Sequence, residues 1–448
     1  MRGTNCPVAF NEDLVNFAFR FAINQYNMLV FKFGGASVKN AVAVKNIVEI
    51  LQRYKEEKIV VVVSAMGKTT NAIEGIIDHY MEGKREELNQ QYKVLKAYHM
   101  EVIDGLFKDK DHKVYADVEE LFSKMADRLV KEPTLNYDFD YDQLICYGEL
   151  LSTTIIGHFL NSSDVSTRWM DIRRSLKTDN TWREAKVDWE LSSQLVNKHF
   201  AFNGERILIT QGFLGSTIND QSTSLGREGS DYTAAILAYM LKAESVTIWK
   251  DVPGVLNADP KYFDDTVLLD KLSYLDAIEL AYFGTSVIHP KTIKPLQNKN
   301  INLHVKSFLN PHAPGTLVGN LSYSKLTPSF IFKMDQVLIR ISPLDFSFIN
   351  EGNLEEIFGI FSKHGLKINL MQNSAISFKM IVNNDKRKVR LVTDELEEKY
   401  KVAYQTGLEL VTIRYFDQST IDRVMINKEL ILEQRGLQNI ELLIRDLG

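Results

Sequence analysis

Met28-Leu-Val-Phe-Lys-Phe33-Gly-Gly-Ala-Ser37 and Ile59-Val-Val-Val-Val-Ser64-Ala-Met-Gly-Lys-Thr-Thr70 share one grammar: a short apolar run, a glycine turn, then a helical pattern. In the first, the run ends at Phe33, turns at Gly34-Gly35, and helical spacing follows over 41–54. In the second, the run from Ile59 to Val63 shows no polar alternation, which predicts a strand covered on both faces. Strands and helices alternating in this way imply a mainly parallel sheet with helices on both sides. Ligands of such sheets bind where strands end and helices begin.

Outward from these two units, strands are expected again at 206–210 and 245–249, separated by a Gly-, Ser- and Thr-rich loop over 211–230 and a helix over 232–242. The Lys- and Glu-rich stretch 73–130 reads as a helical cover, and a helix over 142–160 carries Glu149. Residues 272–296 read as helical with a break near Gly284 and Pro290, and 320–328 as a polar linker. Past the linker come a strand (336–341) and a helix with Leu354, Ile357, Phe358 and Phe361 on one face, ended by Gly365. Two strands (367–371 and 376–382), a helix (386–400) and a strand (408–415) complete a βαββαβ order, that of a split βαβ sandwich. A further helix over 421–434 and a strand over 440–444 are expected beyond it. The predicted architecture is an α/β domain over 28–320 followed by a smaller α+β domain over 331–448.

A chain of 448 residues has room for two or three such domains. Its 45% apolar and 25% charged residues are those of an ordinary globular protein. A net charge of -5 provides no global field to hold nucleic acid or an anionic membrane, so any anion site must be a local cluster. Cys6 and Cys146 form no CxxC pair, which points to a reduced compartment and a cytoplasmic location. The apolar stretch 15–23 is interrupted by Arg20 and too short to span a bilayer.

Glycine turns after strands often have purely steric causes, so Gly34-Gly35 alone decides nothing. Gly67-Lys68-Thr69 resembles the end of a P-loop, but Val62 stands where the first glycine is needed, and no GxGxxG follows any of these strands. The segment Ser222-Thr-Ser-Leu-Gly-Arg-Glu-Gly-Ser-Asp-Tyr-Thr233 carries more. It is a glycine- and hydroxyl-rich loop opening onto a helix, a cradle for an anion, with Arg227 as a fork for carboxylate or phosphate. Asp231 at the helix start has the position of an N-cap as well as of a site residue.

Lys32-Phe-Gly-Gly-Ala-Ser37, Ser64-Ala-Met-Gly-Lys-Thr-Thr-Asn71, Tyr147-Gly-Glu-Leu-Leu-Ser152, Gln211-Gly-Phe213, Leu225-Gly-Arg-Glu-Gly-Ser-Asp-Tyr-Thr233 and Trp249-Lys-Asp-Val-Pro-Gly254 stand in the order seen in aspartate kinases. The chain resembles that family over about 28–318, and its tail resembles the ACT-type amino-acid-sensing domains of the same family. The resemblance implies the amino-acid kinase fold, an αβα sandwich on a mainly parallel sheet, followed by a ferredoxin-like ACT domain. It also implies phosphorylation of the side-chain carboxylate of L-aspartate by ATP with Mg²⁺, the first step toward lysine, threonine and methionine.

Such an acceptor is already an anion, so the chemistry needs no general base; it needs positive charge and alignment to overcome repulsion between two anions. By resemblance, Lys32 neutralises the transferring phosphoryl group and Asp231 orients that lysine. Arg227 takes a carboxylate of aspartate, Glu149 its α-amino group, and the hydroxyls of Ser37, Ser64, Thr70 and Ser230 line the pocket. Gly34, Gly35, Lys250, Asp251 and Lys261 are implied on the ATP side. Trp249 reads as core, and His289 as a structural residue at a helix break. Mg²⁺ is expected to arrive with the nucleotide, without a dedicated set of ligands.

The chain departs from the family pattern at Ala36, Leu256, Ser286 and Lys261, all bearing on the nucleotide. The end of the tail reads as a second ACT unit short of its last strand and helix. Residues 1–27 have no counterpart in the resemblance, which suggests an extension before a natural start at Met28. Asn369, Gln372, Asn373 and Ser374, in an expected strand-to-strand turn, are the candidate contacts for an amino-acid effector, lysine first, and the tail is expected to form a homodimer. Two other functions fit the same residues: a kinase of another amino acid, such as glutamate, on this fold, or a degenerate kinase serving as an amino-acid-binding regulator. The 225–233 segment, Glu149 and the tail favour aspartate.

Overall fold

The computed structural model of the chain describes residues 28–263, 265–284, 288–322, 327–345 and 347–448. These fall into two compact units: one of residues up to 255 with 270–278 and 288–321, the other of 256–269, 279–284, 322 and 327–448. Residues 256–269 and 279–284, expected within the catalytic domain, thus pack with the second unit. The residues before Met28, and Ser286, lie outside the described residues.

The first unit is built on strands β1 (Met28–Phe33), β2 (Lys58–Val63), β3 (Thr167–Met170), β4 (Ile207–Gln211), β7 (Ser245–Lys250), β8 (Lys271–Ser273), β9 (Asn302–Ser307) and β10 (Thr316–Gly319), with β5 (Leu214–Ser216) and β6 (Ser222–Ser224) forming a separate hairpin. The eight-stranded sheet runs β3-β4-β2-β1-β7-β9-β10-β8. All neighbours are parallel except β9 and β10. From β1 the chain passes to β2 on one side and later to β7 on the other, so the strand order reverses at β1, where open α/β sheets form a ligand crevice.

Alternation along β1 decides what reaches that crevice. Phe31 and Phe33 join the core under the Ala41–Gln52 and Thr69–Met81 helices. Val30 and Lys32 point to the other face, where the Gly229–Leu241 helix packs on β1 and β7 with buried Ala234, Ala235 and Ala238. Trp249 is fully buried and stacks on Phe33 at 6.1 Å between ring centroids, a core residue as expected. The expected helix over 142–160 is two helices, Tyr137–Ile145 and Tyr147–Ser162, meeting at Cys146. His289 caps the Pro290–Lys299 helix by accepting a hydrogen bond from the Lys291 amide. Among the described residues no helix is long and apolar enough to cross a membrane.

The second unit holds β11 (Ser329–Pro343), β12 (Ile368–Ser374), β13 (Ser377–Asn383), β14 (Tyr400–Arg414), β15 (Lys428–Arg435) and β16 (Asn439–Asp446) in an antiparallel sheet ordered β12-β13-β11-β14-β16-β15. The Glu351–Lys363 and Lys386–Glu397 helices complete the expected βαββαβ order over β11 to β14. Two details differ from the sequence reading. Gln372, Asn373 and Ser374 belong to β12 and pair with β13; the turn is Ala375-Ile376. The expected 421–434 helix is only the short Gln418–Val424 helix, because Lys428–Arg435 pairs with β16 as β15. The chain end therefore adds two antiparallel strands beyond β14.

Candidate active site

Lys32 lies near the C-terminal end of β1 with its side chain 8% exposed, and Lys250 ends β7. Both reach Asp231: Lys32 Nζ is 2.6 Å from Oδ1 and Lys250 Nζ is 3.3 Å from Oδ2. Asp231 is fully buried at the third position of the Gly229–Leu241 helix, whose N-cap is Glu228 in a left-handed conformation (φ 55°). Glu228 rather than Asp231 thus occupies the N-cap position, without a side-chain capping bond, and the Asp231 carboxylate faces the two lysines. Burial raises the Asp231 carboxyl, but Lys32 and Lys250 outweigh burial and hold it below the usual carboxylate range. Its place in the first helical turn favours the anion further.

Glu149 comes from the first turn of the Tyr147–Ser162 helix and is 3% exposed. Its Oε1 accepts a hydrogen bond from the Ala65 amide at 3.2 Å, while Oε2 is buried without a hydrogen-bond partner among the described residues. Burial pushes the carboxyl up to about 8, against the pull of the Ala65 and Glu149 amides and of Lys32. Such a carboxyl awaits a cation.

These groups converge on a cavity of about 800 Å³ lined by Lys32, Ser64, Thr70, Glu149, Arg227, Ser230 and Asp231 of the expected set. Close backbone approach shapes its floor. A Cβ at Gly212 would lie 2.5 Å from Ser230 Cβ, and one at Gly35 would lie 2.9 Å from the Ala65 carbonyl oxygen and 3.0 Å from that of Gly67. The Gly67 amide donates to the Gly35 carbonyl at 3.0 Å, locking the two strand-end turns together.

Not every expected residue lines this cavity. Ser37 is buried and donates to the Trp249 carbonyl at 3.3 Å, bracing β1 against β7. Gly34 and Gly35 shape the turn after β1, Lys250 joins through Asp231, and Asp251 is exposed just past β7. Lys261 is exposed in the second unit and is not part of the lining. Asn369, Gln372, Asn373 and Ser374 lie on β12: Asn369 bonds Lys333, Gln336 and Asn383, Gln372 accepts from Lys379 at 3.2 Å, and Ser374 bonds Ser377.

One wall was not foreseen. Tyr141 donates to Glu74 at 2.8 Å, and the Arg183 guanidinium lies 4.4 Å over the Tyr141 ring and 3.3 Å from Asp138. Arg183 takes a left-handed backbone (φ 66°) with its amide bound to Asp142 at 2.9 Å. The acidic start of the Tyr137–Ile145 helix was the only local signal. Among the described residues no group of three or more His, Cys, Asp or Glu side chains gathers as a metal site, and both Asp231 oxygens are engaged by lysines. A resident metal does not fit these residues.

A family model for the amino acid kinase family matches residues 27–307. Lysine-sensitive aspartokinase 3 of Escherichia coli (strain K12) is 30% identical over 400 residues, 86% of either chain. The E. coli aspartokinase III crystal structure with aspartate and ADP, described as the R-state, aligns at a TM-score of 0.78 and 27% identity over 93% of this chain and 96% of that one. The structure of the same enzyme with lysine and aspartate, described as the T-state, aligns at 0.79 and 26% identity over 94% and 96%. A buried lysine–aspartate–lysine cluster beside an uncompensated glutamate, on a reversed parallel sheet, agrees with these likenesses, and the chain belongs to the amino acid kinase family and, within it, to the aspartokinases.

Proposed function

We propose that the cavity binds L-aspartate between Glu149 and Arg227 and receives the terminal phosphoryl group of ATP at Lys32, giving 4-phospho-L-aspartate and ADP. The observation that carries this reading is the Asp231-centred lysine pair next to the unpartnered Oε2 of Glu149 in one cavity. A side-chain carboxylate oxygen of aspartate attacks the terminal phosphorus; that O–P bond forms while the bond from phosphorus to the bridging oxygen of ADP breaks. No proton moves in this step. Lys32 offsets charge on the transferring oxygens, Asp231 keeps Lys32 and Lys250 fixed at those oxygens, and the α-ammonium of aspartate meets Glu149. Mg²⁺ is proposed as part of the incoming nucleotide complex.

The product is the activated acid from which lysine, threonine and methionine are made. We further propose a cytoplasmic enzyme whose tail pairs in a homodimer and senses an amino acid at Asn369, Gln372, Asn373 and Ser374, lysine being the first to test. Half-exposed Met371 and Ile376 beside these residues support a partnered surface there. The decisive assay incubates the protein with ATP, Mg²⁺ and aspartate or glutamate and traps acyl phosphate with hydroxylamine. Aspartyl hydroxamate from wild type is expected, with far less from Arg227→Ala when aspartate is kept below its wild-type KM. Glutamyl hydroxamate alone would assign another substrate, and aspartate binding with no hydroxamate would assign a regulator.

A further inference from the structure

Three non-glycine residues with left-handed backbone line the active-site cavity: Arg183 (φ 66°), Phe213 (φ 68°) and Glu228 (φ 55°). That conformation is costly for a side chain and persists only where the surroundings impose it, most often at functional sites. Two of the three serve the backbone. Glu228 is the N-cap residue of the Gly229–Leu241 helix, and Phe213 turns so that its amide donates to the Thr233 hydroxyl at 3.0 Å while its carbonyl accepts from the Leu225 amide at 2.9 Å.

Arg183 is different, because one face of the Tyr137–Ile145 helix is built around it. Asp138, Tyr141 and Asp142 stand at i, i+3 and i+4 and so share that face. Asp142 accepts a hydrogen bond from the Arg183 amide at 2.9 Å, the Tyr141 ring lies 4.4 Å from the guanidinium, and Asp138 accepts from Nη1 at 3.3 Å. Among the described residues Nε and Nη2 are left unspent. Asp138 and Arg183 are 54% and 45% exposed, so their ion pair orients the guanidinium more than it neutralises it.

The same grip sets Arg183 beside Arg227. Asp142 also accepts from the Ser224 amide at 3.0 Å and the Ser224 hydroxyl at 2.6 Å, and the Ala185 amide donates to the Ser224 carbonyl at 2.9 Å. A Cβ on Gly226 would lie 3.2 Å from the Arg183 carbonyl oxygen and 2.9 Å from Glu184 Cγ, so the chain carrying Arg227 touches the turn carrying Arg183. Two guanidinium groups therefore stand on touching loops in the lining of one cavity.

We propose that Arg183 is a second, substrate-positioning fork of the site, sharing the α-carboxylate of the amino-acid substrate with Arg227. The inference rests on the reading of the cavity as an aspartate site. In that reading the reacting carboxylate must lie toward Lys32 and Asp231, whose side chains are 8% and 0% exposed, which directs the α-carboxylate to the exposed arginines. A guanidinium held flat on Tyr141 is oriented before the ligand arrives, and its open edge matches a carboxylate.

Initial rates at saturating MgATP, with aspartate varied, test this in Arg183→Gln and Arg183→Gly. Both should raise the KM for aspartate roughly 10-fold, the low end for a hydrogen bond to a charged group because the site is part-exposed, with kcat and the KM for ATP unchanged. Binding of L-aspartic acid α-amide, which lacks the α-carboxylate charge, should shift by no more than about twofold, as expected where the two changes remove one shared contact. Arg183→Gly should melt no lower than Arg183→Gln, since glycine accepts the left-handed backbone freely. If Arg183→Gly fails to fold by circular dichroism, Arg183→Gln decides. Turnover by wild type with a KM indifferent to Arg183→Gln overturns the inference alone, as does equal weakening of aspartate and its α-amide or a loss confined to kcat. No turnover of aspartate by wild type overturns the reading of the site, and the inference falls with it.

Discussion

Glu149 gives the sharpest test of the active-site reading, because its carboxyl must change ionisation when aspartate arrives. In the free protein burial holds it at about 8, so at pH 7 roughly nine molecules in ten carry it protonated. The α-ammonium of aspartate next to Oε2 favours the carboxylate, and binding at pH 7 should release close to one proton from this group. Titration calorimetry at constant pH, in buffers of differing ionisation enthalpy, reads that number from the slope of apparent enthalpy. The release should fade toward pH 9, where the free protein is already ionised, and vanish in Glu149→Gln. The same shift has a stability sign. A carboxyl raised in the folded state from 4.5 to about 8 contributes stability that is fully present below 4.5 and is lost as pH rises through about 8, as much as about 5 kcal/mol. Glu149→Gln, which cannot ionise, should therefore melt above wild type at pH 9 while binding aspartate more weakly, with the melting difference shrinking toward pH 5. Zero proton release by wild type at pH 7 would refute the assignment of Glu149 to the ammonium.

Asp231→Asn removes the anion between Lys32 and Lys250 and should lower kcat by about 100-fold or more, the scale of losing one preorganised electrostatic group, with a smaller change in the KM for aspartate. Arg227→Ala should raise the KM for aspartate by roughly 30-fold or more while kcat changes little, measured by coupling ADP release to NADH oxidation. Gly35→Ala places a methyl group 2.9 Å from the Ala65 carbonyl oxygen; chemical denaturation should show a loss of about 1–3 kcal/mol, and the KM for ATP should rise as the two strand-end turns part.

The features legible in the sequence were those set by local pattern. The unbroken apolar run Ile59–Val63 predicted a doubly covered strand, and the alternation of such runs with helical patterns predicted a parallel sheet with its crevice at strand ends. Lys32 and Asp231 were singled out through the resemblance of the motifs around them to aspartate kinases, and the structure brings the two side chains together. What was misread depended on distant partners. Leu430-Ile-Leu432 fits a helical stripe as well as a strand, and pairing with Asn439–Asp446 decides between them. Ser37 was placed with the substrate hydroxyls; its O–H donates to the carbonyl of Trp249, 212 positions away, a partner no local pattern could reveal. The Tyr141–Arg183 wall escaped for the same reason: it needs a left-handed backbone at Arg183 and an ion pair to a separate helix, neither of which has a residue signature.

Asp231 shows why the site is arranged as a cluster and not as a single lysine. Two ammonium groups held close together without an anion between them would repel. One carboxylate leaves the trio with a net positive charge at the end of β1 and β7, beside a helix N-terminus that adds partial positive charge of its own. That surplus is what a terminal phosphoryl group and an aspartate carboxylate, two anions, must find in order to approach. Lysine at 32 without Asp231 would be mobile, and Asp231 without Lys250 would be fully neutralised by Lys32, leaving no excess charge.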